Sequence, residues 1–431
     1  MIELRKCYLY LLMLLMLAGC AINPVTGRNE LALMDIPVEE EIKMGQQAYG
    51  QALQTMGSTY PDKALTAYID KVGQRVAARS HRPELKYSFS VVNDSSPNAF
   101  ALPGGFIAIS RGLLINLENE AQLAAVLGHE VAHVTARHSV QGMQRGSLLG
   151  ATVSILGGIA GGYGYGDLAT QLGGVTANLI DKSYSREQES ESDRIGIDYM
   201  VLSGYAPQGA IELQEIFYRK IEGGANPDWL GGMFRSHPFS KDRLDANRDY
   251  VQSTYAGTKS NYGLEKSSYR RAIAPLLKTQ EAYALYDQAR QLEAKQQLDT
   301  AIETYHKAMQ LAPDQGLLLS GVGMAYLRKD DLIPARRYLI KAVQVDDGYF
   351  MSQMGLGYIY LKNEDAQKAA PHLESSLKLM PTLQSAFLLA EAEESLGNLG
   401  KARELYQAVA KSDPRSKLGQ VAAARLQKLG Q

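Results

Sequence analysis

The sequence predicts an α+β protein: a mostly helical catalytic domain with a small sheet, followed by an all-α solenoid. Two observations carry this reading. Short runs of aromatic and β-branched residues between 87 and 110 interrupt an otherwise helical periodicity, and beyond residue 279 the chain repeats itself every 33 or 34 residues. At 431 residues the chain exceeds what one ordinary core organises. Its 45% hydrophobic and 21% charged residues are those of a globular protein, and a formal net charge of -1 gives no electrostatic footing for nucleic acid.

The amino terminus differs from the rest. Arg5 and Lys6 precede an apolar run from Tyr8 to Leu17, which closes on Leu17-Ala18-Gly19-Cys20. This is the pattern of a secretory signal peptide over residues 1–19, too short to span a bilayer well. Its ending resembles the bacterial lipobox, which implies that Cys20 is acylated and that residues 20–36 form a lipidated tether. Several acyl chains make such attachment stable where one is marginal. Ala21 after the cysteine, by the same resemblance, favours the outer membrane. The other cysteine, Cys7, lies inside the signal segment, so the mature chain has no internal disulfide.

From Pro37 to Ser80, Ile42, Tyr49, Leu65, Ile69, Val72 and Val76 recur at helical spacing, giving two amphipathic helices broken near Pro61. Tyr87 to Val92 and Ala99 to Ser110 read as strands, and Pro103-Gly104-Gly105 within the second argues for a bulge or an edge. Gly112 to Arg137 reads as a helix entry and one long helix. Ser147 to Gly174 is Gly- and Ala-rich, and the stretch before Gly161 is too short for a membrane span, so it reads as a buried helix or a lid over the site. Ser185 to Gly196 reads as a further helix, carrying three glutamates and one aspartate.

In the repeats, Ala301, Tyr305, Ala308 and Pro313 recur as Ala335, Leu339, Ala342 and Asp347, as Ala369, Leu373, Ser376 and Pro381, and as Ala402, Tyr406, Val409 and Pro414. Gly323 with Tyr326, and Gly357 with Tyr360, supply a small residue and an aromatic on the preceding helix. The pattern resembles four tetratricopeptide repeats over 279–431 with a capping helix from 416, a scaffold that binds protein partners in its groove.

The chemistry lies in His129-Glu130-Val131-Ala132-His133. Two imidazoles at i and i+4 share one helical face, with a carboxylate beside the first, as a catalytic zinc and its general base require. A third ligand must come from elsewhere. The acidic helix offers Glu187, Glu189, Glu191 and Asp193, and spacing alone does not choose among them.

Together these motifs resemble the M48 metallopeptidases, across roughly residues 35 to 250. The resemblance implies a zincin-like (gluzincin) domain, here 37–265, binding one Zn2+ per chain. It makes Glu189, four residues before Asp193, the third ligand, and gives Asp193 the task of orienting a histidine. Asn98, Ala99, Phe100 and Ala101 resemble its substrate-lining edge strand. Ser236-His237-Pro238 resembles a loop that closes over the metal, so that His237 is a fourth ligand keeping the enzyme latent. Arg243, six residues on, is either an oxyanion stabiliser or a surface salt-bridge residue. Glu187 and Glu191 read as solvated or salt-bridged, and His81, His138, His306 and His372 as structural. The expected function is a zinc endopeptidase of the periplasm, tethered to the outer membrane, acting on misfolded or misassembled envelope proteins. The alternative is a repeat-based chaperone or adaptor whose protease is mostly latent.

Overall fold

A computed structural model describes residues 20–31, 36–142, 184–222, 233–257 and 263–430. The stretch from Ser147 to Gly174, with Tyr163 and Tyr165, and the signal segment lie outside the described residues. Among the described residues no helix is long and apolar enough to cross a membrane.

The segment expected as a tether holds a short antiparallel hairpin, β1 (Cys20–Ile22) and β2 (Asn29–Leu31). Two helices follow, α1 (Val38–Thr55) and α2 (Lys63–Ala77), with Asp62 capping the second through the amides of Ala64 and Leu65. A three-stranded sheet has the order β3 (Ser88–Val92), β5 (Phe106–Ser110), β4 (Ala99–Leu102). β3 runs parallel to β5, and β4 runs antiparallel to it, so β4 is an edge. Pro103-Gly104-Gly105 is not a bulge but the turn joining β4 to β5. Gly104 and Gly105 have φ of 78° and 97°, which only glycine adopts without strain.

After the single turn α3 (Arg111–Leu114), α4 (Glu120–Thr135) passes entirely through the interior. It crosses α5 (Arg186–Leu202), which opens on a capping box formed by Ser185 and Gln188. The two helices approach at Gly128 and Gly196. A Cβ on Gly196 would lie 2.7 Å from the backbone nitrogen of His129 and 2.8 Å from the carbonyl carbon of Gly128. Three further helices complete this part: α6 (Gln208–Glu222), the short α7 (Met233–Ser236) and α8 (Lys241–Tyr255).

The solenoid starts inside a 29-residue helix, α9 (Lys266–Ala294), and continues through α10 (Leu298–Leu311), α11 (Gly316–Arg328), α12 (Leu332–Val345), α13 (Phe350–Lys362), α14 (Ala366–Leu379), α15 (Leu383–Ser395), α16 (Leu399–Ser412) and α17 (Lys417–Leu429). The repeating alanines Ala301, Ala335, Ala369 and Ala402 are fully buried, which is why small residues recur there.

The solenoid curls back onto the catalytic part. Gln54 at the end of α1 donates to the carbonyl of Gly348 (2.8 Å) and accepts from the amide of Phe350 (2.9 Å). The Arg111 guanidinium lies over the Tyr283 ring at 3.7 Å and donates to Asn93, which in turn donates to the Tyr283 hydroxyl. One continuous cluster of buried side chains runs from Tyr60 through Tyr269, Tyr283 and Leu317 to Tyr349.

Candidate metal centre

Helix α4 delivers His129 and His133 to one face, α5 delivers Glu189, and the residue following α7 is His237. One ligand atom from each lies within 4.8 Å of all the others, and all four residues are buried. His133 Nε2 is 3.0 Å from His129 Nε2 and 3.4 Å from Glu189 Oε1. His237 Nδ1 is 3.0 Å from Glu189 Oε1 and 3.3 Å from His129 Nε2. Three imidazoles and a carboxylate converging in this way fit a divalent transition metal, whose ligand set they match.

Glu130 supports the same fit. Among the described residues neither of its buried carboxylate oxygens has a hydrogen-bond partner, and Nε2 of His237 lies 3.6 Å from Oε1. Unpaired buried carboxylates are costly and mark function. Burial raises the Glu130 carboxyl above its ordinary range, with His237 and His129 acting against that shift. Burial also disfavours charge on His237, but Glu189 and Glu130 outweigh it and push its pKa up to about 9.

Each helical histidine is held from behind. His129 Nδ1 donates to Asp193 Oδ1 at 3.0 Å. Asp193 is gripped by Arg243 through Nε (2.9 Å) and Nη2 (2.8 Å) and by the Asn247 amide (2.9 Å). Burial alone would raise the Asp193 carboxyl, yet Arg243 and His129 hold it well below the carboxylate range. Arg243 also donates from Nη1 to Glu189 Oε2 (2.6 Å) and to the Pro238 carbonyl (2.7 Å). Its side chain is 9% exposed, so it is no surface salt-bridge residue; it joins a ligand, that ligand's neighbour and the His237 loop.

Sequence reasoning gave no part at the site to two neighbours, Tyr184 and His138. Tyr184 stacks on the His133 ring at 3.8 Å between centroids, and its hydroxyl meets Ser139 Oγ at 3.1 Å. His138 Nδ1 lies 2.9 Å from His133 Nδ1, and its Nε2 lies 3.0 Å from Glu191 Oε2. The only sequence signal for His138 was its place five residues beyond the motif.

The residues expected to line the substrate cleft form β4 and its approach. Since the Ser110 amide donates to the Asn98 carbonyl (2.8 Å), Asn98 and Phe100 turn their backbone groups to β5, while Pro97, Ala99 and Ala101 turn theirs outward. The Pro97 carbonyl accepts from the amide of Met233 (2.9 Å), at the start of the His237 segment. Asn98 Oδ1 is buried without a hydrogen-bond partner among the described residues. Val126, Ile197, Leu213 and Phe217 line one side of a cavity of about 40 Å³ whose other lining includes His129, His237, Asp193 and Arg243.

The model of peptidase family M48 matches residues 63–251, which contain every ligand and neighbour of this cluster. The chain carries an M48 peptidase domain. M48 enzymes are metal-dependent, in keeping with the ligand set above. A tetratricopeptide-repeat model matches residues 384–416. The M48 domain and repeats together are similar to the "Beta-barrel assembly-enhancing protease" of Escherichia coli, 27% identical over 84% of this chain and 78% of the relative. The "Putative beta-barrel assembly-enhancing protease" of Vibrio cholerae is 28% identical over 55% of this chain and 51% of its own length. The "Mitochondrial metalloendopeptidase OMA1" of Schizosaccharomyces pombe is 31% identical over 51% and 63%. These relatives are named as proteases and a metalloendopeptidase.

Proposed function

We propose that the chain is a zinc-dependent endopeptidase of the bacterial envelope, acting on misfolded or misassembled envelope proteins. The carrying observation is the convergence of His129, His133, Glu189 and His237 beside the unpaired, buried Glu130. His129, His133 and Glu189 would hold zinc, which would supply Lewis acidity toward a carbonyl and a water of lowered pKa. Glu130 accepts the water proton and returns it to the leaving amine, a task suited to a carboxylate whose affinity for protons is raised by burial. Asp193 fixes the His129 ring with Nδ1 protonated, which leaves Nε2 free to ligate. Arg243 is a positioning residue: four of its hydrogen bonds are already committed to Asp193, Glu189 and Pro238.

An extended substrate adds to the outer edge of β4 at Ala99, between Asn98 and Phe100–Ala101. His237 would take the position that water needs, and Met233, which opens the same segment, already bonds the Pro97 carbonyl beside the edge, which supports a latent enzyme. The repeats recruit a protein partner or substrate. Cys20 anchors the periplasmic chain to the outer membrane through acyl chains. The relatives' names, with a solenoid packed on an M48 domain, support action in β-barrel assembly. The test is zinc content and casein cleavage by the whole mature chain, its Glu130→Gln variant and its His237→Ala variant. Zinc near one per chain with cleavage lost in Glu130→Gln sustains the assignment, and cleavage that survives this substitution ends it.

A further inference from the structure

His129 Nδ1 is backed directly by a carboxylate, Asp193, but among the described residues no carboxylate contacts Nδ1 of His133. Its Nε2 faces the other ligands, so ligation requires the proton to sit on Nδ1. That proton points at His138 Nδ1, 2.9 Å away. His138 can accept it only if its own proton sits on Nε2, and that nitrogen lies 3.0 Å from Glu191 Oε2. The directions are therefore fixed along the line: His133 donates to His138, and His138 donates to Glu191. His138 is almost fully buried, with Ser192 Oγ 3.3 Å from the same Nδ1.

The outer end of this line is not closed by the catalytic helices. Glu191 Oε1 is 3.3 Å from Nε of Arg28, in the amino-terminal hairpin. The hairpin is fastened nearby by the buried Asn23, whose amide donates to the carbonyl of Ala136 at 3.0 Å, at the end of the helix that bears both histidines.

We propose that His138 and Glu191 are a positioning pair for the metal ligand His133, and that the amino-terminal hairpin holds this pair in place through Arg28. The proposal rests on the zinc reading above. A histidine relayed through a second histidine to a carboxylate does for His133 what Asp193 does for His129: it sets the tautomer, fixes the ring and strengthens the ligand. Since the hairpin begins at Cys20, the segment nearest the proposed anchor also braces the metal site.

The experiment uses the whole mature chain with His138→Ala, Glu191→Ala, Glu191→Gln and Arg28→Ala, and reads three quantities. Zinc affinity by chelator competition should weaken about 10- to 100-fold in His138→Ala and Glu191→Ala. It should largely recover in Glu191→Gln, which keeps an acceptor, and change only a few-fold in Arg28→Ala, whose side chain is 55% exposed. The kcat should fall with KM little changed. The His133 Nδ1–H signal in ¹⁵N-histidine spectra, assignable because the chain has only seven histidines, should shift or vanish with His138. Affinity within twofold of wild type in both alanine variants, with an unaltered His133 tautomer in Glu191→Ala, would overturn the proposal even if melting temperatures drop. If His138→Ala does not fold, Glu191→Ala at the rim carries the same readouts. A wild-type chain that takes no zinc refutes the endopeptidase reading, and the tautomer measurement still decides the pair.

Discussion

Replacing Gly196 with alanine should damage the metal centre without touching any ligand. The added methyl would meet the backbone nitrogen of His129 at 2.7 Å and the carbonyl carbon of Gly128 at 2.8 Å, where 3.4 Å is the near edge of ordinary contact. Both obstacles are backbone, so no rotamer change relieves them; α5 must move from α4 by about 0.7 Å. Glu189 rides on α5 and both histidines on α4, and ligand constellations tolerate only about 0.5 Å of misplacement. Zinc affinity should fall at least about tenfold, with about 1–3 kcal/mol of overpacking cost in the metal-free protein. The counterpart is Gly50, exposed on α1 with nothing near its would-be Cβ. There alanine should stabilise by about 0.5–1 kcal/mol and leave zinc binding alone. Chelator competition and denaturant unfolding read both variants. A Gly196→Ala protein with wild-type affinity and stability would refute the claim that this crossing sets the ligand geometry.

The other expectations concern single side chains. Glu130→Gln should keep zinc yet lose at least about 10²-fold in kcat for casein, since the base is gone while the ligands remain. His237→Ala should raise casein cleavage above wild type, measured at equal zinc loading; unchanged activity would remove His237 from any latency role. Gln54→Ala removes two hydrogen bonds to the 348–350 turn and should cost about 2–3 kcal/mol, read by denaturant unfolding of the whole chain. Because the Asp193 carboxyl titrates below its unfolded value of about 3.9, its contribution to stability is present above that pH and lost as pH falls through the depressed value. In the metal-free protein, Asp193→Asn should therefore show a shallower loss of stability on acidification than wild type, followed by unfolding from pH 6 downward.

The parts that were legible in the sequence are those fixed by short-range periodicity. Two histidines four apart on a helix must share a face, and alanines a repeat apart must meet the next helix. Glu189 was different: spacing left it level with its acidic neighbours, and only the resemblance to M48 selected it. His138 was missed because a helix continued past residue 135 would carry it to another face. Instead Arg137 adopts a φ of 58°, and the chain turns His138 back onto His133. Of the bulge or edge that Pro103-Gly104-Gly105 suggests, the edge is present in β4 and the bulge is not, because a strand with a kink and two strands with a tight turn share one composition. The bonds from Gln54 to the turn at Gly348 and Phe350 join residues almost 300 positions apart, and nothing local encodes them.

The continuous cluster from Tyr60 to Tyr349 has a practical consequence for anyone who wishes to dissect the molecule. A cut at residue 265 or 279, where composition invites one, leaves one piece without Tyr283 and Leu317 and the other with those side chains facing water. Each fragment would carry a raw greasy face and tend to clump, and its failure in an assay would say nothing about the task of the missing half. Questions about who recruits and who cuts are better put to point variants of the intact chain, where the two halves keep each other soluble.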